Sequence, residues 1–111
     1  MQQGNYGGHR YIDAATVQLF TGKYYTNNRR GLLFDKPDVD VIKSPCAKDA
    51  SASTFGHQGF TGTCAWADPT NELVFVFLSN RVHPLAENNA LAKQNIRTRM
   101  MQIAYEAIGS K

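Results

Sequence analysis

The segment centred on Asp68-Pro69-Thr70-Asn71-Glu72 constrains this chain most. After it, Leu73 to Ser79 reads LVFVFLS, which is β-branched, aromatic and nearly all apolar. A short run of that kind predicts a strand over 73–79, buried on both faces. The Pro-containing polar stretch before it is a turn, because Pro pre-sets φ at a favoured turn position. A second strand is expected over 60–67, so the two form an antiparallel hairpin.

The flanking segments add helices. Asp13 is placed to cap a helix over 14–21, with Ile12 and Val17 at the positions of a hydrophobic staple. That helix is expected to bury Val17 and Phe20, and Gly22 to end it in a left-handed conformation. Gly31-Leu32-Leu33-Phe34 predicts a strand over 30–35. Residues 36–54 carry Pro37, Pro45 and a Ser-Ala-Ser-Thr stretch, which predicts a long surface loop. Near the C-terminus, Ile96, Met100, Ile103, Ala104, Ala107 and Ile108 recur at helical spacing. They predict one helix over 90–108 with an apolar face and a stop at Gly109. The order is α+β: an antiparallel sheet with a short first helix and a long final helix packed on it, one domain over 1–111.

Composition excludes several function classes. The chain has 111 residues and a net charge of +3. Its basic residues are scattered (Arg29, Arg30, Arg81, Arg97, Arg99), not gathered into the stripe that nucleic-acid binding uses. No apolar run reaches the ~18 residues of a membrane span, and Met1-Gln2-Gln3-Gly4 has no leader character. Cys46 and Cys64 are too few for a metal site; they are either one disulfide or two separate thiols. No metal or cofactor is expected.

Few residues suggest chemistry. His9 lies in a glycine-rich loop and His83 precedes Pro84, and exposed loop histidines of this kind usually have no role. His57 stands between Gly56 and Gly59 where a strand begins, and glycines there let a ligand or another backbone approach. Two readings stay open for it: a ring facing a cleft, or a ring bonded to a nearby carbonyl. Gly56-His57-Gln58-Gly59-Phe60-Thr61-Gly62 matches neither a Walker loop nor a dinucleotide fingerprint. There is no SxxK, GxSxG or HExxH.

Several segments together resemble the C-terminal part of β-lactamase-related serine hydrolases: class C β-lactamases, DD-peptidases and related esterases. They are Phe55-Gly56-His57-Gln58-Gly59-Phe60-Thr61-Gly62-Thr63, Trp66 with Asp68-Pro69, and Leu78-Ser79-Asn80-Arg81-Val82-His83-Pro84. Tyr6-Gly7-Gly8, Arg10-Tyr11, Thr16-Val17, Leu19-Phe20-Thr21 and Arg29-Arg30-Gly31-Leu32 are similar to the stretch before them, and Asn88, Asn89 and Ile96-Arg97 to the tail. The chain looks most like the β-lactamase-like domains attached to family 3 glycoside hydrolases.

The resemblance implies that His57-Gln58-Gly59 is the third of three active-site motifs. His57 would position substrate or tune proton transfer, and Gly59 would leave room for an acyl group. Gln58 would point away from the nucleophile, the Phe60 backbone N–H would be an oxyanion donor, and Gln58 and Thr61 would touch substrate weakly. Tyr25-Thr26-Asn27 fits the second motif by letter only; it stands about 30 residues before the third motif, too close for the family, and reads as a turn. The nucleophile-bearing SxxK is missing, so the implied partner is the rest of a longer hydrolase domain, with a glycoside hydrolase domain as a further one. The implied compartment is the periplasm or cell envelope, and the isolated chain would be inactive. The alternative is a free-standing peptidoglycan- or carbohydrate-binding module that stacks sugars on Trp66, Tyr24 and Tyr25.

Overall fold

A computed structural model describes residues 2–109. A small ribbon, β1 (Asn5–Tyr6) with β2 (His9–Arg10), opens the chain. Helix α1 follows at Ala14–Thr21, the range expected. Its ends differ from expectation. The Asp13 side chain makes no cap bond; its carbonyl accepts from the Val17 N–H instead. Gly22 is extended, with φ −73°, and its N–H closes the helix onto the Gln18 carbonyl. No residue of α1 is buried, and Phe20 is 40% exposed.

The expected strand over 30–35 is a closed turn. The Gly31 N–H donates to the Phe34 carbonyl, and Arg30 and Asp35 bridge its ends. The apolar run curls because Asp35 is held elsewhere: its backbone exchanges two hydrogen bonds with Gly56. Residues 36–54 form no helix or strand. They are no mere surface loop, however, since Lys36, Cys46, Ala47 and Thr54 are buried.

The main sheet has the order β3-β4-β5, all antiparallel: β3 (Phe55–Gln58), β4 (Cys64–Asp68) and β5 (Leu73–Phe77). The expected hairpin is therefore present as β4–β5, joined at the expected turn. Residues 60–63 are not strand; they belong to a turn linking β3, which extends the sheet, to β4. Nor is β5 buried on both faces: Val74 is 63% and Val76 57% exposed.

The expected final helix is two, α2 (Ala90–Lys93) and α3 (Ile96–Ile108). They are separated at Asn95, which adopts a left-handed φ of 50°. Asparagine tolerates that conformation. The buried face of α3 carries Met101 and Tyr105, not the expected stripe; Met100, Ile103 and Ile108 are exposed. Met101 and Tyr105 pack with Cys46, Ala47, Cys64 and Trp66 as the core, flanked by Leu73, Phe75 and Phe77.

That core is tied by one polar group. Asp68, 1% exposed, accepts from the Ser51 N–H (2.9 Å) and hydroxyl (2.6 Å), the Asn71 amide (2.8 Å) and the Tyr105 hydroxyl (2.7 Å). Burial works against its charge, but the donors from Ser51, Asn71 and Tyr105 prevail and hold its carboxyl well below the usual range.

Candidate functional site

Strand β3 sorts the motif residues by parity, since alternate side chains point to opposite faces. Gly56 and Gln58 pair with Trp66 and Cys64, both buried, so they face the core. The Gln58 amide donates to the Pro45 carbonyl at 3.2 Å. His57 pairs with Ala65, which pairs with Val76, on the opposite, exposed face. Alanine at position 65 leaves the space beside the ring open.

The His57 ring is also fixed. Its Nδ1 lies 2.8 Å from the Gln58 carbonyl oxygen. A carbonyl only accepts, so Nδ1 carries the proton and Nε2 of the neutral ring keeps its lone pair. Of the two readings open in the sequence, the structure shows the ring bonded to a neighbouring carbonyl, on the exposed face of the strand.

The turn after the motif is built around Gly59 and Gly62. The Gly59 N–H donates to the Thr63 carbonyl at 2.8 Å, and the Gly62 N–H to the Gly59 carbonyl at 3.0 Å. A Cβ at Gly59 would meet the Thr63 hydroxyl, so a side chain there would need that hydroxyl to rotate away. Phe60 is 75% exposed, and its N–H meets no acceptor among the described residues. Thr61 is exposed as well.

Arg81, which the sequence did not single out as a site residue, clamps this turn. Its Nε donates to the Phe60 carbonyl at 2.7 Å, and its backbone N–H donates to the Thr61 carbonyl at 2.9 Å. Its guanidinium lies 4.7 Å from the Phe60 ring centre, and Nη1 donates to the Ala86 and Asn88 carbonyls. Its position 21 residues after Phe60 gave no local signal. His57, Gly59, Phe60 and Thr61 thus lie along one strand end and turn, with Gln58 turned to the other face.

The family model described as Beta-lactamase matches residues 3–98. The chain belongs to the beta-lactamase family. It is 34% identical over 85 residues to an Escherichia coli (strain K12) protein named "Putative D-alanyl-D-alanine carboxypeptidase", covering 76% of this chain. A protein of the same name from Salmonella gallinarum is 33% identical over 85 residues, covering 77% of this chain. The chain spans 20% of the length of each of these relatives. No solved structure matches.

Other sequence candidates separate from this beta-lactamase-family strand. Trp66 is 2% exposed and fills core, so it cannot stack a sugar. Tyr24 and Tyr25 are exposed and meet edge to face, 5.2 Å apart, in the irregular stretch before Asn27. Both cysteines are buried free thiols; burial first, then the nearby Asp35 charge, pushes Cys46 up to about 12. Among the described residues no cluster could hold a metal ion, and no helix is long and apolar enough to cross a membrane.

Proposed function

We propose that this chain forms the third-motif wall of a serine hydrolase site, within a longer beta-lactamase-family domain like those of its relatives. The carrying observation is the pairing of His57, with Nε2 outward on the exposed face of β3, and the unbonded N–H of Phe60 in the turn that follows. In this reading Nε2 accepts a hydrogen bond from substrate or from a catalytic proton donor. The Phe60 N–H donates to the oxyanion of an acyl-transfer intermediate, a contribution of about 3–4 kcal/mol per donor. Gly59 lets the turn close tightly beneath the acyl group, Gln58 braces the strand from behind, and Thr61 borders the substrate.

The substrate class is an acyl compound attacked by a serine: a D-alanyl peptide, as the relatives' names suggest, or a β-lactam or ester. The nucleophile, the remainder of the sheet and any attached glycoside hydrolase domain belong to the longer polypeptide, which acts in the periplasm or cell envelope. Alone the chain is inactive, because a site without its nucleophile keeps only weak residual catalysis.

The test has two arms. The isolated chain is expected to show no turnover of nitrocefin or p-nitrophenyl acetate and no acylation by a fluorescent penicillin. Turnover that His57→Ala abolishes would overturn the inactivity. In a chimaera carrying this segment in place of the matching 85 residues of the E. coli relative, hydrolysis of a D-alanyl-D-alanine peptide is expected, and His57→Ala lowers it by about 100-fold. Full activity of the folded His57→Ala chimaera would overturn the role given to His57.

A further inference from the structure

Behind β3, on the face away from His57, lies a cavity of about 290 Å3 bordered by Arg29, Lys43, Ser44, Gln58, Arg97 and Thr98. Three of these are cations, and among the described residues no carboxylate lines the cavity. Two of the cations have counter-charges nearby. Arg29 Nη2 lies 3.4 Å from Asp35 Oδ2, and Lys43 pairs with the partly exposed Asp40 at 3.2 Å. Neither pairing uses up the donors: Arg29 Nε is buried without an acceptor. A buried donor left unmade costs about 1–3 kcal/mol, a cost that an acceptor within its reach would relieve. Arg97 has no ion-pair partner among the described residues.

The surrounding groups favour the same sign of charge. The first turn of α3 holds no acidic residue and Asn95 provides no side-chain cap, so its leading N–H groups reinforce the positive field there. The larger groove nearby, of about 420 Å3, shares Arg29 but differs otherwise: the Asp38 carboxylate lines it, and its Lys36 ammonium is already bonded to the Thr21 and Ser53 carbonyls.

We propose that the cavity between Arg29, Lys43 and Arg97 binds a small oxyanion, a phosphate-type or carboxylate group, on the back of the motif strand. Gln58 reaches both the cavity and the Pro45 carbonyl, so an occupant would brace β3 from the side opposite His57. The site stands whether or not the acyl-transfer reading holds.

Titration of the 111-residue chain with inorganic phosphate, and separately with acetate, tests it, with ionic strength held constant by sodium chloride. Backbone amide NMR shifts are followed. Saturable shifts at residues 43, 44, 58 and 96–98 are expected in at least one arm; the arm that saturates identifies phosphate-type or carboxylate chemistry. Arg97→Gln is expected to weaken binding by about tenfold, the loss of one charge-assisted contact. Lys23→Gln, in the neighbouring groove, leaves it unchanged. If Arg97→Gln does not fold, Thr98→Val serves, with several-fold weakening expected. Shifts that stay linear in both arms, or binding unchanged in the folded cavity variant, would overturn the proposal.

Discussion

The Tyr105 hydroxyl donates to Asp68 Oδ2 at 2.7 Å, joining the last helix to the end of β4 across 37 residues of sequence. Both groups are buried, so the bond lies in the core. Tyr105→Phe removes one donor but leaves Asp68 those of Ser51 and Asn71. A cost of about 1.5–2 kcal/mol is expected, read as a lower urea midpoint at unchanged slope. Asp68→Ala strands all these donors at once and is expected to cost about 3 kcal/mol or more. Equal costs for the two variants would show that Asp68 is not the hub.

Acid should unfold the chain partly through the same carboxyl. Its folded-state value is depressed below that of the unfolded chain, so its contribution is fully present above about pH 4 and is lost as pH falls toward the folded value. Tyr105 acts at the other end. Burial first, then the bond to Asp68, raises its hydroxyl above the ordinary value of 10.0, so that stability falls as pH rises past about 10. Urea midpoints across pH should show both losses, and Asp68→Asn should flatten the acid limb. An unchanged acid limb in that variant would assign it to other carboxylates.

His57 should matter for chemistry and not for folding. The residue is exposed, and among the described residues its side chain's one hydrogen bond is to the next residue's carbonyl. His57→Ala is expected to change stability by less than about 0.5 kcal/mol, by thermal or urea unfolding. A loss above about 1.5 kcal/mol would mark the ring as a structural element.

The uncovered side of the sheet should drive self-association. Val74 and Val76 are exposed, and among the described residues no strand pairs with the outer edge of β5. An apolar edge without Lys or Pro invites pairing with another chain. The isolated chain is expected to self-associate in size-exclusion chromatography with light scattering, and Val76→Lys to shift it toward monomer. A monomeric, well-dispersed wild type at high concentration would show that three strands suffice.

What the sequence revealed depended on how local the cause was. Helix α1 and the β4–β5 hairpin follow from nearby signals, a bounded apolar segment and a Pro-containing turn, and both appear. The curl of Gly31–Phe34 depends on Asp35 pairing with Gly56, 21 residues away, which no window around it contains. On α3, periodicity chose the face with more aliphatic residues, yet the core took Met101 and Tyr105 because the tyrosine reaches Asp68. At the site, the glycines around His57 suggested a close approach of another backbone, and at Gly56 the Ala65 and Trp66 backbone does lie that close. The strand start was placed too late for strand parity to separate outward-facing His57 from inward-facing Gln58; only the family resemblance implied that Gln58 points away from the nucleophile. The Arg81 clamp on Phe60 was invisible for the same reason as the Asp35 bridge.

The five residues Gly59–Thr63 between β3 and β4 also set a limit on evolutionary drift. A gain or loss of one residue there that the turn did not absorb would shift the pairing by one and exchange the two faces, delivering an amide where the imidazole now stands. Changes of length are therefore filtered by arithmetic before they are filtered by stability. In lineages that keep the imidazole in use, the connection should vary freely in composition outside its glycines while its count stays fixed.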